Sequence, residues 1–172
     1  QTGLMYGLLA WVYNNRYAVT GEPEYRKPVI RYVMRSYQLN PELAESNTGM
    51  AYAYYTQGQY RKAADHLRRA LEINPNLFAT NHIAGVILNS AGLHEQAIRY
   101  FRKSSALNPF YLLTPLHMAR ALIYAGNLEG AEKTIIRARN LSMTNPDLSG
   151  LVVELSIYRG ELDKAQEYLK QV

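Results

Sequence analysis

The chain has 172 residues, a length that suits one domain with a continuous hydrophobic core. Its apolar fraction of 48% excludes a disordered polypeptide. The lack of cysteine excludes disulfide bonds, thiol catalysis and thiolate sites for zinc or iron–sulfur clusters. The net charge of +5 is a mild basic excess, which leaves an acidic partner open.

Residues 1–40 predict a degenerate pair of helices. The first is expected over residues 4–17 and the second over residues 28–38, with a turn at Thr20–Pro23 between them. The longest apolar stretch, residues 3–13, is well short of the ~20 residues that span a bilayer, so no membrane span is expected. A signal peptide is not indicated, because a basic start and a small-residue cleavage site are missing.

A repeat of 34 residues organises the rest of the chain. Glycine, alanine and the dipeptide Asn-Pro recur at this spacing, as Gly58, Gly92, Gly126 and Gly160, as Ala63, Ala97, Ala131 and Ala165, and as Asn40-Pro41, Asn74-Pro75 and Asn108-Pro109. A further Asn-Pro, at Asn145-Pro146, follows 37 residues later. A fixed period of this length is typical of stacked supersecondary units.

Each unit is predicted to contain a helix, a tight turn, a second helix and a loop. In the first full unit, residues 42–57 form a helix that starts after Pro41, and Gly58 ends it with a positive φ. Residues 61–72 carry apolar side chains at helical spacing and form the second helix. The predicted units, all within one domain, are 1–40, 41–74, 75–108, 109–145 and a partial unit 146–172.

The order of small, aromatic and proline residues in this unit resembles the tetratricopeptide repeat (TPR). The best match is carried by Met50-Ala51, Tyr54, Gly58, Ala63, Leu67, Ala70 and Pro75. The resemblance implies an all-α fold, a right-handed α-solenoid superhelix of antiparallel helix pairs, in which first helices line a concave groove and second helices form the outer wall. It also implies a non-catalytic scaffold for protein–protein interaction, for which we expect a cytoplasmic location.

The layout of residues 1–40 is similar to that of TPR regions attached to larger bacterial signalling or regulatory proteins. The chain begins with Gln1, and we expect it to be an excerpt or a processed product of something longer.

The later units depart from the repeat at three places. Ser104 stands where alanine is usual, and Thr114 as cap with Pro115 as first residue is expected to start one helix late. Three extra residues lie between Ala131 and Pro146, and three are missing between Pro146 and the next turn. We therefore expect a longer second helix or loop in the third unit and a shorter first helix in the fourth.

The sequence carries no recognisable catalytic or metal-binding pattern. His94-Glu95 is not followed by the second histidine of a zinc-protease helix, and no phosphate-binding loop, nucleophile elbow or catalytic carboxylate pair is visible. We expect no enzyme activity, no cofactor and no metal.

The groove is the predicted binding site for a protein or peptide partner. Tyrosine, of which the chain has 15, gives a large contact area and a polar tip at little entropic cost. By the geometry that the resemblance implies, the groove presents Thr48, Tyr52, Tyr55, His82, Val86, Asn89, Leu116, Arg120, Tyr124, Glu154 and Tyr158.

One subtype of this family is disfavoured. TPR co-chaperones that bind a C-terminal carboxylate use a set of lysine, asparagine and arginine residues in the groove. The matching positions hold Thr48, Tyr52, Ile83, Leu113 and His117. Only His117 among them is able to carry a positive charge, so a chaperone-tail clamp is not expected.

Two alternatives stay open beside groove binding. The second helices carry a basic ridge of Arg68, Arg69, Arg102, Lys103 and Arg137, which forms either a solvated face or a contact for an acidic partner or a nucleic acid. We expect nucleic acid to be the less favoured of these partners. The other alternative is a homo-oligomer, in which exposed terminal helices stack on another copy.

Overall fold

The computed structural model describes residues 2–20, 22–141 and 146–170. Gly21 in the first predicted turn, Asn145 of the fourth Asn-Pro, and the residues at both ends of the chain lie outside these ranges. Within them the chain forms ten α-helices and one short 3₁₀ helix, and no strand occurs.

The helices alternate with short connections along the whole described chain. The 3₁₀ helix covers Pro23–Tyr25, between the first two α-helices. The α-helices are α1 (Thr2–Thr20), α2 (Arg26–Leu39), α3 (Ala44–Thr56), α4 (Tyr60–Ile73), α5 (Phe78–Ser90), α6 (His94–Leu107), α7 (Leu113–Tyr124), α8 (Leu128–Leu141), α9 (Pro146–Tyr158) and α10 (Leu162–Lys170).

Within each of two compact parts of the chain, consecutive helices pack as hairpins and neighbouring hairpins contact each other. Helix α1 packs on α2, α3 on α4, α7 on α8 and α9 on α10. Between hairpins, α2 contacts α3, α6 contacts α7 and α8 contacts α9, while first helices also meet, α1 with α3 and α7 with α9. The predicted all-α solenoid of antiparallel helix pairs is confirmed.

The chain divides into two compact units between Ile83 and Ala84. The N-terminal unit has a core of Ala10, Val29, Val33, Met50 and Ala53. The C-terminal unit has a larger core that extends from Ala97 to Leu155 and includes the fully buried Phe101. The division into five helix pairs within one domain stays a prediction.

The repeated glycines end the first helix of each hairpin from α3 onwards. Gly58, Gly92, Gly126 and Gly160 have φ between 73° and 77°, in the left-handed region that is costly for residues with a Cβ. At Gly92 the backbone N–H bonds to Asn89 O (3.0 Å), and the next N–H, of Leu93, bonds to Leu88 O (2.9 Å). The chain therefore reverses within the three residues that separate α5 from α6.

The expected shortening of the fourth unit's first helix is wrong. Helix α9 has 13 residues, as many as α3 and α5, because it begins at Pro146 itself. Helices α3 and α5 begin three residues after Pro41 and Pro75. Proline suits the first position of a helix, where its missing N–H has no partner to lose. The three missing residues are thus taken from the loop, and α8 keeps the 14 residues of α4 and α6.

Thr114 does not cap α7 as predicted. The helix begins at Leu113, and the side chain of Thr114 is fully buried. Its Oγ1 lies 3.2 Å from Ser104 Oγ, so the serine that replaces the usual alanine has a hydroxyl partner on the facing helix. Ser36 and Ser46 form the same contact at 2.7 Å in the N-terminal unit. A buried hydroxyl is stable here because it is paired.

Candidate protein-binding surfaces

Four of the predicted groove residues meet on adjacent first helices of the C-terminal unit. Arg120 and Tyr124 lie on α7, and Glu154 and Tyr158 occupy the same repeat positions on α9. Arg120 Nε donates to Glu154 Oε2 at 3.1 Å. The ring centroids of Tyr124 and Tyr158 are 6.0 Å apart at an angle of 42°. We call these four residues the Tyr124 cluster.

The cluster combines a neutralised charge with accessible aromatic surface. Tyr124 is 39% exposed and Tyr158 is 53% exposed. The pKa of the Tyr124 phenol is raised, because its hydroxyl donates a hydrogen bond to the Glu154 carboxylate and because the group is partly desolvated. Glu154 therefore accepts bonds from both α7 residues. The rings are held in place while their faces stay open to a partner.

His94 extends the Tyr124 cluster from the start of α6. Its ring lies 5.3 Å from that of Tyr124 in an edge-to-face arrangement, and its Nδ1 lies 2.7 Å from Asn89 Oδ1. The predicted groove residue Asn89 is thus held in the same network. Sequence reasoning missed His94, because it assigned the groove to first helices alone. The sequence feature that could have indicated His94 is the short turn at Gly92, because it brings the start of the second helix back to the end of the first.

The N-terminal unit brings other predicted residues together. Tyr52 and Tyr55, both half-buried on α3, have ring centroids 6.3 Å apart. Tyr55 also approaches Tyr60 at 6.2 Å. A concavity of about 210 Å³ lies beside Tyr52, walled by Tyr17 of α1, Val29 and Ile30 of α2, and Gly49, Ala53 and Thr56 of α3.

Three predicted groove residues are buried and need correction. Thr48 is 6% exposed, and its Oγ1 bonds to Thr80 Oγ1 at 2.6 Å and to Ala44 O at 2.8 Å. His82 and Leu116 are each 4% exposed, and Leu116 lies in the core of the C-terminal unit. These side chains serve packing because the faces that carry them meet neighbouring helices. Val86 is half-buried and packs against the C-terminal core.

His117 is not a positive group at neutral pH. Its ring stacks on Phe101 with centroids 6.2 Å apart and an angle of 18°. Burial lowers the pKa of His117 to about 4, helped by the positive charge of Arg120 and opposed by Asp147. His117 was the one matching position expected to offer a positive charge to a C-terminal carboxylate, and at neutral pH it is uncharged.

The predicted basic ridge differs between the two units. In the N-terminal unit, Arg68 pairs with Asp65, and Arg69 pairs with Glu42 and Glu72. In the C-terminal unit, Arg102, Lys103 and Arg137 are exposed, and no ion pair joins them to another described residue. The positive charges of Arg68 and Arg69 are therefore balanced by nearby acids, whereas those of Arg102, Lys103 and Arg137 are not.

The described ranges contain neither a cluster of metal ligands nor a membrane-spanning helix. There, no three histidine, aspartate or glutamate side chains group closely enough to hold a metal ion. None of the described helices is both long and apolar enough to cross a bilayer. The cytoplasmic location stays a prediction.

Comparison with known families matches the model of the tetratricopeptide repeat to residues 44–77. The chain contains a tetratricopeptide repeat. The matched segment runs from the start of α3 to the loop before α5, so the TPR boundaries coincide with one hairpin and its following loop. No curated protein sequence is significantly similar to the chain.

Solved structures with a similar fold include two MamA structures and PilF. A MamA fragment from Desulfovibrio magneticus RS-1 has a TM-score of 0.69 and 19% identity, over 95% of this chain and 92% of the fragment. Pseudomonas aeruginosa PilF has a TM-score of 0.71 and 16% identity, over 97% of this chain and 73% of PilF. A further MamA structure has a TM-score of 0.67 and 16% identity, over 84% of each chain. At these identities the likeness shows the fold alone.

Proposed function

We propose that this chain is a non-catalytic scaffold that binds a peptide segment of a partner protein along its first helices. The observation that carries the proposal is the Tyr124 cluster, where exposed tyrosines of adjacent hairpins lie 6.0 Å apart. Because Arg120 and Glu154 share one position of the repeat, side chains 34 residues apart form one contact strip across α7 and α9. An extended or helical segment contacts such a strip along its length.

The chemistry of the cluster favours a segment without strong net charge. Arg120 is balanced by Glu154, so neither sign of charge is in excess there. Tyrosine rings provide apolar contact area, and the guanidinium has N–H donors beyond the Nε–H that Glu154 accepts. Main-chain carbonyls of the partner would accept hydrogen bonds from the guanidinium, and its apolar or aromatic side chains would pack on the tyrosine rings.

Peptide display tests this proposal directly. Peptides selected from a random library on the wild-type protein are measured by fluorescence polarisation against a Tyr124→Ala/Tyr158→Ala variant. Loss of two interface aromatics is expected to weaken binding at least tenfold. Tyr168→Ala is the matched control, since Tyr168 is 38% exposed but lies on the second helix α10. Equal affinities of wild type and double variant for every selected peptide would contradict the proposal.

Self-association is a second candidate function, and exposed apolar stripes favour it. Helix α1 carries a stripe on its outer face, made of Leu4, Met5, Leu8, Leu9 and Val12, each at least 40% exposed. On the last hairpin, Ile157 and Leu169 are 51% and 62% exposed. Ile123 and Ile135, at the same repeat positions one hairpin earlier, are 0% and 3% exposed. Ile157 and Leu169 are thus exposed at repeat positions that the preceding hairpin buries.

Light scattering over a range of protein concentrations tests self-association. The wild type is expected to show a mass that rises with concentration, and Met5→Gln/Leu8→Gln is expected to reduce that rise, because it makes the α1 stripe polar. A mass equal to the monomer at all concentrations would refute this candidate.

A further inference from the structure

The corner between α6 and α7 presents an unusual exposed aromatic residue. Phe110 is 82% exposed, the highest value among the large apolar residues described. Leu107, three residues earlier at the end of α6, is 41% exposed. Large apolar side chains in such a position mark interaction sites when charged groups surround them.

The turn that carries Phe110 is well ordered by hydrogen bonds. The backbone N–H of Phe110 donates to Asn108 Oδ1 at 3.2 Å, and that of Asn108 donates to Ser104 O at 2.9 Å. Thr114 N donates to Tyr111 O at 3.2 Å. Phe110 is therefore displayed on a fixed turn, so binding through it costs little ordering entropy.

Exposed cations without ion-pair partners among the described residues lead up to this turn. Arg99, Arg102 and Lys103 are exposed on α6, and none forms an ion pair within the described residues. The sequence has no acidic residue between Glu95 and Glu129. We call Arg99, Arg102, Lys103, Leu107 and Phe110 together the Phe110 corner.

The preceding repeat provides an internal comparison. Thirty-four residues earlier, Asp65 stands in place of Arg99, Glu72 in place of Ala106 and Asn76 in place of Phe110. There the arginines are neutralised by Asp65, Glu42 and Glu72, and Asn76 makes the same turn through Asn74 Oδ1 (3.0 Å). Relative to the preceding repeat, this segment thus carries Arg99, Ala106 and Phe110 in place of two acids and one amide.

We infer that the Phe110 corner binds the surface of an anionic lipid bilayer. Phe110 and Leu107 enter the boundary of the acyl chains, and Arg99, Arg102 and Lys103 contact the phosphate and carboxylate headgroups. The excess of unpaired positive charge beside exposed apolar side chains is complementary to the anionic headgroups and acyl boundary of such a bilayer. Juxtaposed cations and a few inserted apolar groups are the usual requirements for reversible interfacial binding.

Vesicle co-sedimentation tests the inference on the full chain. Wild-type protein is expected to sediment with phosphatidylcholine vesicles that contain phosphatidylserine, to stay in solution with phosphatidylcholine alone, and to lose binding as salt is raised. Phe110→Asn copies the residue of the preceding repeat and keeps the turn, and it is expected to weaken binding about tenfold. Arg102→Glu/Lys103→Glu is expected to abolish binding.

Matched variants separate this surface from the rest of the molecule. Arg68→Ala/Arg69→Ala removes two cations at the same positions of the preceding repeat, and it is expected to leave sedimentation unchanged because those charges are already paired. Tyr124→Ala/Tyr158→Ala is expected to leave it unchanged as well, so failure here is distinct from failure of peptide binding. Circular dichroism confirms the helical content of each variant.

Four results would overturn the inference. They are absence of sedimentation with phosphatidylserine vesicles at low salt, sedimentation that is equal for wild type and Phe110→Asn, preferential Phe110-dependent binding of poly-glutamate over vesicles, and preferential binding of duplex DNA. The third result would assign the corner to an acidic protein segment, and the fourth to a nucleic acid backbone.

Discussion

Single residues in the C-terminal core show how a uniform repeat is locally adjusted. Position 85 requires glycine because the ring of Phe101 fills the space in front of it, and a Cβ added there would lie 2.5 Å from Phe101 Cε1. The same pair of positions holds Ala51 and Leu67 one repeat earlier. A larger side chain on one helix is thus matched by a smaller one on the other.

His117 makes the stability of the protein depend on pH. Because its pKa is lowered from 6.5 to about 4, the unfolded chain binds the proton between these values and the folded chain does not. Stability is therefore lost as the pH falls from about 6.5 to about 4, by at most roughly 3–4 kcal/mol at about 1.4 kcal/mol for each unit of pKa. Urea unfolding of wild type and His117→Phe across this range measures the effect.

The His117→Phe variant keeps an aromatic ring against Phe101 and cannot titrate. Its loss of stability on acidification is expected to be smaller than that of the wild type. Part of the dependence is expected to remain, since burial also lowers the pKa of His66. Identical slopes for the two proteins would show that His117 keeps its ordinary pKa.

At the scale of elements, the distance between paired helices depends on small residues at their crossing. Ala51, Ala63, Ala97, Ala119 and Ala131 are all completely buried. Helices joined by a turn of a few residues approach within about 8–10 Å only where such side chains face each other. At the α5–α6 crossing the opposing residue is phenylalanine, so the position on α5 needs glycine, which is smaller than alanine.

A double-mutant cycle at the α5–α6 crossing tests this complementarity. Gly85→Ala is expected to destabilise the protein by about 1–3 kcal/mol, because the added methyl group overlaps the ring of Phe101. Phe101→Leu in the same chain restores the pair found one repeat earlier and is expected to recover part of the loss. Thermal unfolding of the two single variants and the double variant measures the coupling, and additive effects would contradict it.

The connections between elements absorb differences in unit length. The fourth unit is three residues shorter before its turn, yet α9 keeps the length of α3 and α5 by starting at its proline. From sequence spacing alone, the three missing residues were assigned to the first helix of the fourth unit. They are missing from the loop instead, because a shorter helix would withdraw apolar residues such as Leu148 and Leu151 from the core.

For the molecule as a whole, stability in repeat folds comes from contacts between neighbouring hairpins. Helix α8 packs on both α7 and α9, whereas α10 packs on α9 alone among the helices described. Only Ala165 of α10 is buried, against four residues of α8. Local opening is therefore less costly at α10 than at α8.

Amide hydrogen exchange monitored by mass spectrometry tests this gradient. Amides of α10 are expected to exchange faster than those of α8 at the same pH and temperature, because opening α10 exposes less buried surface. Equal protection of the two helices would indicate that α10 is covered in solution, which supports self-association. Repeating the measurement at a lower protein concentration separates these cases.

The sequence by itself determined the hairpin architecture, its turns and the register of its strip of first-helix residues. These features follow from local physics, since a positive φ requires glycine, proline limits where a helix starts, and apolar spacing sets the buried face. The period of 34 residues then predicted that Arg120 and Glu154, and likewise Tyr124 and Tyr158, hold equivalent places on neighbouring helices.

Only the tertiary structure decided which polar and charged side chains are available. Thr48 and His82 are buried, His94 joins the Tyr124 cluster, and Arg68 and Arg69 are paired while Arg102 and Lys103 are not. The physical reason is that burial and ion pairing depend on groups brought close from distant parts of the chain. Periodicity fixes the position of a side chain on its own helix but not what the neighbouring helix places against it.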